Sequence, residues 1–254
     1  MRLTKPASLR TFSSISCLVL LISCCIATLF FKRGVAADKA VRPFYLERAS
    51  YKRSASGQEV MFARDILARR SDATTASIEY FMTYLPVRKV TLPDTSMTWL
   101  IDGLKLKTSW PRMSEEALGI TDRTTHPLAD CGVGSRIVGH ENIAGEDTVK
   151  VTDTVGAVSS TFWLAPALGC ESLRFQKGND DGTVLSEVRT LKLVIGEPDS
   201  RVFDPGVGYD EVVPSELTIR RYRAAGSELS APEQLRMLRS FDREFHTLLS
   251  RYPR

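Results

Sequence analysis

The feature that most constrains the fold is a repeated alternation of apolar and polar residues. In residues 76–84 nearly every second side chain is large and apolar, and in residues 104–110 lysine and serine alternate with leucine, threonine and tryptophan. Successive side chains of a β-strand point to opposite faces, so this period of two is typical of strands with one covered face. Similar stretches recur between residues 41 and 195, separated by turn-forming residues, and they predict a mainly β fold of the α+β class.

The clearest local signal is a hairpin centred on Asp102 and Gly103. Short strands are predicted at residues 87–92, 97–101 and 104–110. Asp-Gly is a favoured pair for a two-residue type I′ turn, because both central positions need a positive φ. These three strands are therefore expected to form an antiparallel meander with one solvent-exposed face and one covered face.

The N-terminus has the pattern of an export signal. Residues 1–10 are basic, residues 15–31 form an uncharged and largely apolar run, and residues 35–37 are Val-Ala-Ala. Small residues there favour cleavage near Ala37. Retention as a membrane anchor stays open, because the run reaches the lower limit for spanning a bilayer. Lipidation at Cys24 is a third alternative. All three predict an exported, periplasmic or cell-envelope protein.

The charge balance gives no reason to expect nucleic-acid binding. The formal net charge is +4, but residues 1–37 contain five basic groups and no acid. The remainder has a net charge of −1, so the positive balance belongs to the leader. A nucleic-acid interface would require a basic surface on the folded part.

Two cysteines lie beyond the leader, at positions 131 and 170. In an oxidising compartment they are expected to form a disulfide. The alternative, a catalytic thiol using His126 or His140, has no supporting residues nearby.

No pattern in the chain specifies a reaction, a metal or a cofactor. The three histidines are far apart in sequence, and no zinc spacing or nucleophile elbow is present. Adjacent acids such as Glu115 and Glu116 diverge and are poor candidates for paired acid–base work. A non-catalytic protein is expected, and an unrecognised secreted hydrolase is the less favoured alternative.

The C-terminal end differs in character from the rest. Ser230 to Glu233 forms a capping box, and an amphipathic helix of about 20 residues is expected after it. From Leu217 onward the net charge is +4, whereas residues 38–216 have a net charge of −5. The helix either covers one end of the sheet or binds a partner or a membrane surface. Its interaction residues would be Leu235, Leu238, Phe241, Phe245 and Leu248.

Aromatic residues on the predicted strands offer either core packing or an apolar ligand cavity. The candidate ligand-binding residues are Tyr80, Tyr84, Trp99, Trp110, Phe162 and Phe175.

The chain resembles a group of uncharacterised exported bacterial proteins and is distantly similar to the LolA-like lipoprotein-carrier superfamily. The resemblance depends on the leader, on Gly-x-Asp-x-Val-x-Val at 145–151, and on the Trp-Leu-Ala-Pro-Ala-Leu-Gly-Cys run at 163–170. It covers about residues 41–216 and implies a strongly curved antiparallel sheet that forms an open half-barrel. In that superfamily the concave face holds lipid or acyl chains. The C-terminal helix and the many polar strand residues depart from the pattern.

Three regions are expected from these observations. Residues 1–37 are a signal peptide or anchor, residues 38–216 the half-barrel with one short helix near Ser114, and residues 217–254 a basic tail with the amphipathic helix. The resemblance implies an envelope protein that binds a lipid, a lipoprotein or another apolar ligand. The alternative is a structural or protein-interaction module that acts through the C-terminal helix.

Overall fold

The computed structural model describes residues 41–54, 57–81, 84–94, 96–111, 131, 136–179, 181–204, 206–227 and 232–251. The chain divides into two compact units, Met1–Val35 and Ala36–Arg254, and every described residue belongs to the second. The predicted leader and the short helix near Ser114 lie outside the described residues, as do all of residues 112–130 and 132–135.

The described residues form twelve strands in one sheet that is not closed into a barrel, which confirms the predicted fold class. Their spatial order is β12-β6-β5-β4-β3-β2-β1-β11-β10-β9-β8-β7, and only β12, which pairs with β6, is parallel to its neighbour. The strands are β1 (Phe44–Arg53), β2 (Glu59–Arg69), β3 (Thr75–Phe81), β4 (Val87–Thr91), β5 (Met97–Ile101), β6 (Leu106–Trp110), β7 (Arg136–Ile143), β8 (Glu146–Val155), β9 (Val158–Ala165), β10 (Glu171–Asn179), β11 (Val184–Ile195) and β12 (Asp210–Glu211).

The sheet consists of two meanders, β1–β6 and β7–β11, joined through the antiparallel pair β1–β11. That pair runs from Phe44 opposite Ile195 to Lys52 opposite Ser186. The disulfide between Cys131 and Cys170 is confirmed, with 5.3 Å between the two Cα atoms. It ties the segment before β7 to the start of β10.

The hairpin between β5 and β6 is present, but the predicted type I′ turn is wrong. Asp102–Leu104 forms one turn of 3₁₀-helix, and the residue with positive φ is Lys105, at +53°. The longer connection displaces the left-handed position by two residues from Gly103. Asp102 Oδ2 accepts hydrogen bonds from Arg88 and Oδ1 accepts one from Tyr209, which fixes the turn by side-chain contacts.

In the part of the chain that the structure describes, two α-helices follow the sheet, α1 (Pro214–Ala224) and α2 (Pro232–Arg251). The 20 residues of α2 agree with the amphipathic helix expected from the sequence. Helix α1 was not predicted, and it spans the boundary between the predicted half-barrel, residues 38–216, and the predicted basic tail. Proline at its first position suits a helix start, because the missing N–H has no partner there in any case.

Different segments cover the two faces of the sheet. The helix-side face has Leu46 and Leu67 at its centre, and it has Ile101 and Trp110 where α1 and α2 pack. The tail-side face contributes a second cluster, which packs against Phe203 and its neighbours after β11. The helices therefore lie over β4–β6, at one end of the strand order.

Candidate ligand site

The six predicted aromatic residues do not form one site. Trp99, Trp110, Phe162 and Phe175 share the helix-side face by strand register, whereas Tyr80, opposite Arg64, lies on the tail-side face and is 36% exposed. Tyr84 lies beyond the end of β3, and its ring centroid is 4.9 Å from that of Tyr222 on α1.

Two aromatic pairs form instead, in opposite halves of the sheet. The ring centroids of Trp99 and Trp110 are 5.7 Å apart, and those of Phe162 and Phe175 are 4.8 Å apart.

An ion cluster divides the helix-side face between these pairs. The Arg48 guanidinium lies 2.6 Å from Asp65 Oδ2 and 3.2 Å from Glu171 Oε1, and it also donates to the Ser172 carbonyl. Charged groups at the centre of the sheet break the apolar surface. A site for an apolar ligand is therefore confined to one half of this face.

The half beneath α2 has the stronger aromatic cluster. Phe245 from α2 packs edge-on against Trp110, with centroids 5.0 Å apart. Trp99 Nε1 donates to the Met97 sulfur at 3.1 Å. The aromatic cluster consists of Trp110 and Phe245 with Met97, Trp99, Val213 and Leu249 packed around them.

A groove of about 390 Å³ opens beside this aromatic cluster. Its volume falls in the range of small-molecule sites, roughly 300–1,000 Å³. Val213, Phe245 and Leu249 belong both to the groove and to the aromatic cluster. The groove is lined by Glu211, Val212, Val213, Glu216, Phe245 and Leu249.

The rim of the groove has little net charge. Lys107 Nζ lies 3.8 Å from Glu211, and Glu216 is paired with Arg220 one turn further along α1. The rim therefore does not require a charged ligand.

The indole N–H of Trp110 is a buried polar group within the aromatic cluster. The Trp110 side chain is buried, with 6% exposure, and its Nε1–H finds no hydrogen-bond partner among the described residues. A buried donor without an acceptor costs about 1–3 kcal/mol. The Trp110 ring packs on Phe245, and Phe245 in turn lines the groove.

The tail-side face has a separate polar centre around Glu187, which is 6% exposed. Its carboxylate accepts hydrogen bonds from Arg174 at 2.8 Å, Gln176 at 3.1 Å and Arg189 at 2.6 Å. Burial acts to raise the pKa of Glu187, but the hydrogen bonds from Arg189 and Arg174 outweigh it and hold the pKa below its ordinary value. Because Arg189 also binds Glu59 through two bonds, we interpret this centre as structural.

Sequence reasoning missed the Glu187 centre, although a signal was present. Arg174 and Gln176 alternate on β10, and Glu187 and Arg189 alternate on β11. The register places Gln176 directly opposite Glu187 and Arg174 diagonal to it, so alternation on two neighbouring strands gathers several donors around one carboxylate.

The proposed interaction residues of the C-terminal helix are placed in part. Leu238 and Phe245 are buried, with 6% and 4% exposure, so these two apolar side chains face the fold. Leu235, Phe241 and Leu248 lie in α2, and their side chains are outside the described set. A partner that bound Phe245 would first have to displace it from Trp110.

Within the described residues, no three side chains of the His, Cys, Asp and Glu types are grouped as a metal site. Among the described helices, neither is long and apolar enough to cross a bilayer.

No protein-family model matches the chain, and no curated protein matches it in sequence. Among solved structures it is similar to a chain of the Pseudomonas aeruginosa MucA/MucB complex, at 14% identity and TM-score 0.39, over 68% of this chain and 60% of the other. A conserved protein of Thermus thermophilus matches at 12% identity and TM-score 0.41, over 68% and 90%. A LolA superfamily protein from Nitrosomonas europaea matches at 9% identity and TM-score 0.30, over 65% and 90%.

The likeness to LolA-like proteins that the sequence suggests is thus also found between structures. At these scores it carries no argument about function, which is therefore drawn from this chain's own residues.

Proposed function

We propose that the protein is an exported, non-catalytic binding protein that holds an apolar ligand in the groove beside α2. The ligand has an acyl chain and a neutral hydrogen-bond acceptor, such as the carbonyl of an ester. The observation that carries the proposal is the buried Trp110 Nε1–H, which has no hydrogen-bond partner among the described residues and whose ring packs on Phe245 in the groove wall.

Each part of the site has a role in this function. Phe245 and Leu249 provide apolar walls, and burial of an acyl chain there contributes about 0.8 kcal/mol per methylene before the cost of association. The ligand carbonyl accepts from Trp110 and removes the cost of the unpaired donor. The paired rim acids Glu211 and Glu216 leave the entrance without strong preference for charge.

Ligand binding is tested by tryptophan fluorescence. The delipidated protein is titrated with an acyl methyl ester that has bromine on its chain, which quenches nearby indoles. We expect saturable quenching of Trp99 and Trp110. Trp110→Phe keeps the ring packing and removes the donor, and it should weaken binding about tenfold, the worth of one well-placed hydrogen bond.

Leu249→Gln places an amide in the groove wall and should also weaken binding about tenfold. Leu185→Gln is the matched control, because Leu185 is an exposed leucine on β11, far from α2 in the strand order. Equal affinities for these two variants, or no acyl lipid in mass spectra of extracts from the exported protein, would contradict the proposal.

A further inference from the structure

The outward face of α2 has a stripe of exposed cations. Arg236, Arg239 and Arg243 are exposed and spaced by three and four residues, which places them on one side of a helix. His246, Thr247 and Ser250 continue this exposed side. We call Arg236, Arg239 and Arg243 the arginine stripe.

No exposed acid neutralises the arginine stripe among the described side chains of α2. Asp242, the acidic member of that set, is half-buried and accepts hydrogen bonds from Ser215. Leu238 and Phe245 lie on the opposite, buried side of the helix. Among its described side chains, the helix packs Leu238 and Phe245 on one side and presents Arg236, Arg239 and Arg243 on the other.

The charge distribution of the whole chain strengthens this contrast. From Leu217 onward the net charge is +4, whereas residues 38–216 have a net charge of −5. The positive potential is thus concentrated at the helical end, and an anionic surface is attracted there rather than to the rest of the domain.

Strand register relates α2 to the start of β1, which lies five strands away from β6 in the sheet. One row of paired residues crosses the sheet from Phe44 through Arg69, Thr75, Thr91 and Met97 to Trp110. Phe245 of α2 packs on Trp110 at the end of that row. The second half of α2 and the beginning of β1 therefore lie at the same end of the strands.

We propose that the arginine stripe docks on the anionic headgroups of a lipid bilayer. Guanidinium groups bind phosphate with two parallel hydrogen bonds, and basic helical surfaces bind anionic membranes. In the sequence, the apolar run at residues 15–31 precedes β1. A leader retained in a bilayer would keep the domain beside anionic headgroups, which favours a bilayer over an acidic protein as the occupant, and the proposal does not depend on the ligand in the groove.

Arginine footprinting tests the contact directly. The full chain is reconstituted in nanodiscs of phosphatidylcholine alone or mixed with phosphatidylglycerol, and its arginines are labelled with phenylglyoxal. We expect Arg236, Arg239 and Arg243 to be labelled about tenfold more slowly in the anionic discs, with the protection lost at high salt. Arg53, exposed at the far end of β1, should react equally in both.

A control variant with the same loss of charge distinguishes binding by the arginine stripe from general electrostatic attraction of the protein to an anionic bilayer. In the parent, the backbone amides of α2 are expected to exchange hydrogen more slowly in anionic discs than in neutral discs. The triple variant Arg236→Gln, Arg239→Gln and Arg243→Gln should lose this difference. The control Lys52→Gln, Arg53→Gln and Lys192→Gln removes three exposed cations from the sheet and should retain it. Equal labelling of the arginine stripe in neutral and anionic discs would overturn the proposal, as would protection that requires an added acidic protein.

Discussion

Glu187 shows how a single buried carboxylate can be stabilised on a sheet face. Arg174 approaches it from the neighbouring strand and Arg189 from its own strand, and Gln176 supplies a third donor. Its folded pKa lies below the ordinary value because these bonds favour the ionised form over the opposing effect of burial. Its stabilising contribution is therefore present above the unfolded pKa and is lost as the pH falls through the lower folded value.

Glu187→Gln should lower the free energy of unfolding by about 1–3 kcal/mol at neutral pH, because two guanidinium groups lose their ionised partner. The difference from the parent should shrink below about pH 4, where the unfolded carboxyl is protonated and the folded one begins to be. Urea unfolding followed at several pH values measures both effects.

Glu59→Gln is the control, because Glu59 binds the same Arg189 but is 46% exposed. Its effect should stay within about 1 kcal/mol, as is usual for a surface ion pair. If Glu187→Gln has the same urea unfolding midpoint as the parent at every pH, the ionised Glu187 adds no net stability.

For single residues, the sequence predicts a contact well where the chemistry of the side chain leaves few possible partners. Cys131 and Cys170 were the two cysteines outside the leader, and the compartment made their pairing the simplest outcome. Alternation predicts that Trp99 and Trp110 lie on strands, but it cannot tell that Tyr80 faces the other side of the sheet from them. That distinction depends on how separate strands are aligned, and the pattern of one strand does not contain this information.

Helix α1 depends on a cap that comes from another element. Its N-cap residue, Val213, has no side-chain acceptor. Asp242 of α2 accepts from the backbone N–H of Ser215 at 3.0 Å and also from the Ser215 hydroxyl. The carboxylate thus serves as the missing cap and complements the positive end of the helix dipole.

Asp242→Ala should therefore destabilise α1 by about 1–2 kcal/mol, the usual effect of losing a helix cap. Hydrogen exchange should become faster in residues 214–224, and the amides of β1 and β11 should keep their rates. Ser250→Ala is the control, since the exposed Ser250 hydroxyl donates to the Thr247 carbonyl of its own helix. Unchanged exchange in α1 would mean that packing of Leu217, rather than the cap, holds the helix in place.

The two helices also show the limits of local sequence patterns. Helix α2 was predicted because apolar residues recur along it at helical spacing and a capping box precedes it. Helix α1 was missed because its buried residues are Pro214 and Leu217, both near its start, and its cap lies 27 positions away. A helix whose cap lies far away in the sequence and whose buried side is narrow is hard to predict from its own residues.

At the scale of the whole molecule, the central contact is non-local. The pair β1–β11 joins residues more than a hundred positions apart, and among the described strands it alone connects the two meanders through strand pairing. Hairpins within each meander follow from the sequence, since each strand pairs with the next. The choice of the strands that pair between the two meanders does not follow from the sequence, because several strands of each meander could have formed that pair.

The disulfide closes a second long-range connection, and its removal should test how far the fold depends on such links. Cys131 and Cys170 are 39 positions apart, and the chain-entropy model gives about 4 kcal/mol for a loop of that length. The double variant Cys131→Ser and Cys170→Ser should therefore melt about 10 °C below the parent in calorimetry. A reducing agent should lower the parent's melting temperature towards that of the variant and leave the variant unchanged. If the parent and the double variant melt together, the β7–β11 meander holds the start of β10 without the covalent link, and strand pairing alone stabilises this half of the sheet.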